Sequence, residues 1–269
     1  MEDAALHNII RYSAGEDLRK EAQMLIAEEP LSIRVENTPY AVVMRTPGDE
    51  QFLAAGFCLA EGLVDRVEDF ATLGHCEQID PNVISVVLTP QRREKVAGLL
   101  ERRGYISQTS CGICGKALVE DLTQKMVPST DATPIELARI MARINDERLL
   151  DHQALYRKTS SAHGAVLFTK RLDVLSIGED VGRHNALDKA IGRALLEGSL
   201  ARASIAALSS RISYELVQKA ARAGIPIILG MSRPTALAVS LSRRMNMTLA
   251  CASKEGDLLI FCGKERLAL

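Results

Sequence analysis

The sequence predicts an α/β protein in two parts: a small α+β domain over residues 1–126 and a layered α/β domain over 127–269. Two observations predict it. From residue 164 onward, short apolar runs that read as strands alternate with segments of helical period, the order of a sheet covered by helices. Before residue 104 there are four strand-like runs and only two helices, without that alternation. With 269 residues, 47% hydrophobic and 25% charged, the chain can fill one large core or two small ones.

In the first part, the opening stretch of about twenty residues is polar and reads as poorly ordered. LSIRVENTPYAVVMR then gives two strands about the turn residues Asn37, Thr38 and Pro39. TPGDEQFLAAGFCLAEGLV follows as a helix, because Phe52, Ala55, Gly56, Leu59 and Leu63 share a face and Gly62 stands at its end. Runs at 72–78 and 83–89 read as strands split by Asp80, Pro81 and Asn82. PQRREKVAGLLERRG is a short charged helix closing at Gly104, and it delivers the chain to TSCGICGKAL at 109–118.

The second part opens on a helix signal at Thr133, Pro134, Ile135 and Glu136, in which threonine caps, proline suits the first turn and glutamate completes a capping box. Leu137, Ile140, Met141 and Ile144 supply its apolar face. Strands at GAVLF and LDVLSIGE lead to a helix over 184–197, then strand SIAALSS, helix 213–223, strand IPIILGM, helix 235–245, and a closing pair of strands about Glu255 and Gly256. Leu187, Ala190, Ile191, Ala194 and Leu195 give helix 184–197 the buried stripe of a sheet-covering helix.

Thirty-three basic residues against thirty-four acidic ones leave a net charge of −1, so no global field draws the protein to nucleic acid or to an anionic membrane. Any polyanion must be met by a local cluster. No apolar run approaches a membrane span and the amino terminus lacks the order of a secretory signal, which reads as a cytoplasmic protein. In a reducing compartment six cysteines do not make a disulfide framework. Cys58, Cys76, Cys251 and Cys262 stand alone in apolar company and read as small core hydrophobes.

Cys111 and Cys114 are the exception, two residues apart with Gly112 and Gly115 following them and Lys116 next. A structural zinc site needs four ligands, usually two such pairs, and only one pair is present. His75-Cys76-Glu77 upstream echoes the His-x-Glu of zinc nucleobase deaminases, yet Ser110 stands where proline should precede the first cysteine, and the histidine run is strand-like. A thioredoxin-like redox pair would sit early in a strand-to-helix unit. Incidental thiols in an exposed loop remain an alternative. The glycines and Lys116 favour a mobile, nucleophilic thiolate, which suits the carriage of persulfide sulfur.

SCGICGK, together with TPGDEQFLAAGFCLAEGL, EDVGRHNALDKAIG and SSRISYELVQKAARAGIPIILG, resembles the formate dehydrogenase accessory sulfurtransferase family, often called FdhD, from about residue 30 to the carboxyl terminus. The resemblance implies a second domain with a cytidine deaminase-like three-layer α/β/α fold. It implies a sulfur carrier that takes persulfide sulfur from a cysteine desulfurase and transfers it to the molybdenum cofactor, bis-molybdopterin guanine dinucleotide, before that cofactor enters formate dehydrogenase. It also implies a homodimer, and guanine nucleotides as mimics of the cargo. A non-catalytic cofactor-binding chaperone and a zinc-dependent hydrolase of the deaminase type are the competing readings.

Carried over by position, Cys111 matches the family's persulfide-bearing cysteine and Cys114 its partner. Arg183, His184, Asn185 and Lys189 stand at a helix amino end that suits an anionic, hydrogen-bonding cofactor, and His163, at a strand entrance, reads either as part of that site or as a core histidine. The bland reading of the same stretch makes Gly182 a turn, Asp180 or Asn185 a cap, and Asp188 with Arg183 or Lys189 a solvated pair. The remaining cofactor segment aligns with Ala252, Ser253, Lys254, Glu255, Gly256 and Asp257, where the family usually carries an aromatic and arginines. Only Lys254 keeps a positive charge there. Before His163 the family usually has glycines, and Ser160 and Ser161 stand in their place.

Overall fold

A computed structural model describes residues 2–15, 17–75, 80–101, 126–131, 134–146, 153–253 and 255–268. The chain opens on a hairpin, β1 (Ala4–Arg11) antiparallel to β2 (Arg19–Ile26). The expectation of a poorly ordered opening is therefore corrected. Cross-strand pairing uses backbone groups whatever the side chains are, and only the hairpin base needs apolar support: Ala4, Met24 and Ile26 pack with Leu155 and Ala162. Asp3 adds an ion pair to Lys158 at 2.8 Å.

β3 (Glu29–Val35) and β4 (Thr38–Arg45) form the next antiparallel pair. Glu36 and Asn37, at φ 50° and 63°, make the two-residue turn between them, one position earlier than the proline suggests. α1 (Glu50–Ala60) follows, then β5 (Phe70–His75), β6 (Val83–Leu88) and α2 (Pro90–Glu101). The predicted strand at 72–78 thus starts earlier, at Phe70, and its residues 76–78 lie outside the described residues. α1 stops short of the predicted run because Gly62, at φ 77°, turns the chain, leaving Leu63 and Val64 to enter the core beyond the helix. The four strands order as β4-β3-β6-β5, and α1 covers the sheet through Leu53, Ala54 and Phe57.

The predicted helix start at Thr133 is also corrected. Ile135 and Glu136 form β7 (Ile135–Glu136), paired in parallel with the last strand of the chain, and α3 (Leu137–Asp146) begins only after it. Buried Ile135 is drawn into the sheet-side core, which outweighs the local capping signal. A short helix not read from sequence, α4 (Ala154–Thr159), precedes β8 (His163–Phe168) and β9 (Val174–Asp180). The rest alternates as expected: α5 (Arg183–Leu196), β10 (Ile205–Arg211), α6 (Tyr214–Arg222), β11 (Ile227–Ser232), α7 (Ala236–Arg244), β12 (Thr248–Ala252), β13 (Leu258–Cys262), and finally β14 (Leu267–Ala268).

These strands order as β13-β12-β11-β10-β8-β9, with β10, β11 and β12 parallel and the outer members antiparallel. α5, α6 and α7 cover one face through Leu187, Leu216 and Leu241, and Ile140 of α3 covers the other with Val166, Phe168, Ile205 and Leu229. The result is a three-layer α/β/α arrangement. Cys58 and Cys251 are buried, as read from sequence, while Cys262 is half-buried and Cys76 lies outside the described residues. No helix among the described residues is long and apolar enough to cross a membrane.

One core runs from the first sheet through α1 and α5 into the second sheet. Two glycines make the helix contact close: a Cβ on Gly192 would lie 1.9 Å from the Phe52 carbonyl oxygen, and one on Gly56 would lie 2.0 Å from that of Asp188. Arg193 lies over the Phe52 ring at 4.2 Å and reaches Asp49 at 2.9 Å. Lys219 on α6 meets buried Asp188 at 2.7 Å. Asp188 and Lys189 thus join two different buried ion pairs, which corrects the reading of a solvated pair: both side chains point into the packed interior of α5, where only a paired charge is tolerated.

Candidate functional site

One edge of the six-stranded sheet gathers the chain's junctions. β10, β11 and β12 run in parallel and end there, β9 ends there, and β8 begins there, with His163 opposite Asp180 in register. Helices α5, α6 and α7 start at the same edge, so their positive dipole ends face the same space.

Asp180 anchors the start of α5. It is fully buried; its Oδ1 accepts from Gly182 N and from Asn185 Nδ2, both at 2.9 Å. Its Oδ2 accepts from Thr46 N at 3.1 Å and from Lys189 Nζ at 2.8 Å. The Asn185 amide also donates to the Met44 carbonyl at 2.7 Å, and Lys189 Nζ to that of Thr46 at 2.9 Å. Asn185 is therefore buried and tied to the 44–46 segment, and its neighbours Arg183 and His184 are held at the helix mouth.

His184 Nε2 lies 2.7 Å from Glu215 Oε2 and 3.2 Å from Ser213 Oγ, both at the start of α6. The hydrogen bond from His184 holds the Glu215 carboxyl below its ordinary range, against the opposing effect of burial. His163 is half-buried, and burial, then the charge of Arg183 and of His184, push its imidazole below the ordinary histidine value although Asp180 pulls the other way. At neutral pH it is the uncharged ring. Arg183 is different from all of these: its Nε is buried without a hydrogen-bond partner, and no described residue pairs with its guanidinium.

The 252–257 segment turns from β12 into β13 at the same edge. Ser253 organises it, accepting at Oγ from the backbone N–H groups of Glu255 and Asp257, each at 3.1 Å, while Gly256 takes φ 88°. Ala252 is half-buried, Glu255, Gly256 and Asp257 are exposed, and Lys254 lies outside the described residues. Cys111 and Cys114 also lie outside them. The structure thus brings His163, Arg183, His184 and Asn185 together, and sets the tail turn on the same edge at a distance. Ser213 and Glu215 escaped sequence reasoning, although both stand at a strand-to-helix junction of an α/β alternation, which is the signal that finds them.

Residues 26–268 match the family model described as FdhD/NarQ. The chain belongs to the FdhD/NarQ family. Curated relatives include proteins named sulfur carrier protein FdhD from Streptomyces coelicolor, 36% identical over 91% of this chain and 89% of the relative. Another, from Anaeromyxobacter dehalogenans strain 2CP-C, is 38% identical over 91% of this chain and 88% of its own. A third, from Mycobacterium tuberculosis, is 33% identical over 98% of this chain and 99% of its own. A crystal structure described as a formate dehydrogenase accessory protein, from Desulfotalea psychrophila, superposes with a TM-score of 0.77 at 24% identity, covering 99% of this chain and 100% of that one. That likeness bears on the fold, and it supports the mixed α/β architecture read from sequence.

Proposed function

We propose that this chain is a sulfur carrier that receives persulfide sulfur on Cys111 from a cysteine desulfurase and passes it to bis-molybdopterin guanine dinucleotide, destined for formate dehydrogenase. The observation that carries the reading is Arg183. An arginine whose Nε is buried without a partner, set at the start of a 14-residue helix beside a neutral histidine and an ion-paired one, is a receptor for an anion. The residues fit the cargo's chemistry: the helix start and guanidinium suit phosphate, and the His163 and His184 rings and Ser213 offer hydrogen-bonding groups beside it. Family membership and the relatives' naming support sulfur carriage, and Cys111 with Cys114 supplies thiols of the right kind.

The loading step is an exchange without net redox change. The Cys111 thiolate attacks the outer sulfur of the donor's persulfide; the new S–S bond forms at Cys111 as the donor's S–S bond breaks, and the donor leaves as its thiolate. Cys114 stands in sequence where a second thiol can share the sulfur. A carrier working on cysteine-derived sulfur belongs in the cytoplasm, and we read it as a homodimer.

Intact-mass measurement after incubation with an active cysteine desulfurase and cysteine tests this. The chain should gain one sulfur mass, removed by thiol reductant and absent in Cys111→Ser; no gain in the unaltered chain sinks the carrier reading. Guanosine diphosphate should raise the melting temperature, since a ligand at a hundredfold excess over its dissociation constant adds about 2.7 kcal/mol. The chaperone reading has an opposite expectation, that Cys111→Ser still restores formate dehydrogenase activity in cells lacking the carrier.

A further inference from the structure

The cofactor residues read from sequence fall into two groups on one sheet edge: His163 and Arg183–Asn185 at the β8–β9 end, and 252–257 at the end of β12. β10 and β11 lie between. Three strand steps separate β8 from β12, about 14 Å. The tail group has no cation among its described residues, and its exposed charges are Glu255 and Asp257. In sequence the segment carries Lys254 against these two carboxylates, a net charge of −1.

The two strands in between end in arginines. Arg211 closes β10 opposite Ser232 on β11, and Arg233 follows Ser232 directly. Both are exposed, and among the described residues neither side chain has a hydrogen-bond or ion-pair partner. Most arginines elsewhere are engaged: Arg45 with Glu29 and Glu50, Arg92 and Arg222 with Asp65, Arg93 with Glu36, Arg193 with Asp49. The charge of Arg233 also acts on Cys251 of β12, pulling its thiol down against the larger upward effect of burial. Arg211 and Arg233 stand at the ends of neighbouring strands, which lie about 4.8 Å apart, so a phosphate at that end can use the fork of donors of both.

We infer that Arg211 and Arg233 form a second anion-binding point, which holds a phosphate or pyrophosphate of the same nucleotide-bearing ligand whose other end lies at Arg183. Arg233 adds from the neighbouring strand a second cation to a turn whose sequence holds Lys254 against Glu255 and Asp257. The inference rests on the reading of this edge as the cargo site. A nucleotide as long as guanosine diphosphate reaches both points; inorganic phosphate would occupy one end only.

Titration calorimetry with guanosine diphosphate on the full chain, Arg233→Ala, Arg233→Lys and Arg183→Ala tests it, with melting curves to confirm that each variant is folded. Arg233→Ala should bind about tenfold more weakly, with a shallower dependence on salt, and Arg233→Lys should recover part of the loss. Unchanged affinity in Arg233→Ala, alongside weakened binding in Arg183→Ala, overturns this inference and leaves the cargo-site reading standing. No binding of guanosine diphosphate by the unaltered chain overturns both.

Discussion

The seam between α1 and α5 and the strand-end edge at the start of α5 are built from the same helix, yet they treat charge in opposite ways. At the seam every named charge is answered: Asp188 by Lys219, Lys189 by Asp180, Arg193 by Asp49. At the edge Arg183, Arg211 and Arg233 have no partner among the described residues. Burial explains the first, because an uncompensated interior charge costs several kcal/mol. Arg211 and Arg233 are exposed and hydrated, so leaving them unpaired costs the fold little and leaves them open to the ligand proposed above. Along α5 the first residue, Arg183, is unpaired among the described residues, whereas Asp188, Lys189 and Arg193 further on are each answered.

The sharpest way to break this contrast is at the seam. Lys219→Met leaves Asp188 buried without its cation and should destabilise the chain by about 3–5 kcal/mol, measured by urea unfolding. Asp188→Leu combined with Lys219→Met should be far milder, and if the double variant were as damaged as the single one, the ion pair would not be the cause. Gly192→Ala should cost about 1–3 kcal/mol, since its Cβ meets the Phe52 backbone and one helix must move. Arg183→Ala, at the edge, should change stability by no more than about 0.5 kcal/mol, so a large loss there would erase the distinction.

The smallest effect concerns His163. Its folded-state value lies below the ordinary one, so on acidification the unfolded chain takes up the proton first, near pH 6.5. Stability contributed by the neutral ring is present above that pH and falls as pH drops below it. Melting temperatures from pH 7.5 to 5.5 should decline slightly less in His163→Gln than in the unaltered chain.

The alternation of strands and helices after residue 164 was legible because each element carries its own period. Partners were not. Asp188 and Lys189 are neighbours in sequence, but one binds Lys219, 31 residues on, and the other binds the Thr46 carbonyl, 143 residues back. No local pattern distinguishes them. β7 was misread for the same reason: its two residues are themselves part of a helix signal, and only pairing with Leu267 and Ala268 makes them a strand. Of the site, the α5 start was legible from its motif, whereas Arg211 and Arg233 become meaningful only when the strand order sets them between two groups already suspected.

The closure of α1 by α5 also has a consequence for synthesis. The bond from Thr46 to Asp180 joins residues 134 apart, so on a ribosome the first sheet and α1 emerge long before their cover. At about 5–20 residues per second, the delay is on the order of ten seconds. The side of α1 that meets α5, with Phe52 and Gly56, has no cover through that interval. A pause in translation before residue 183 lengthens the time for which that side of α1 stays uncovered.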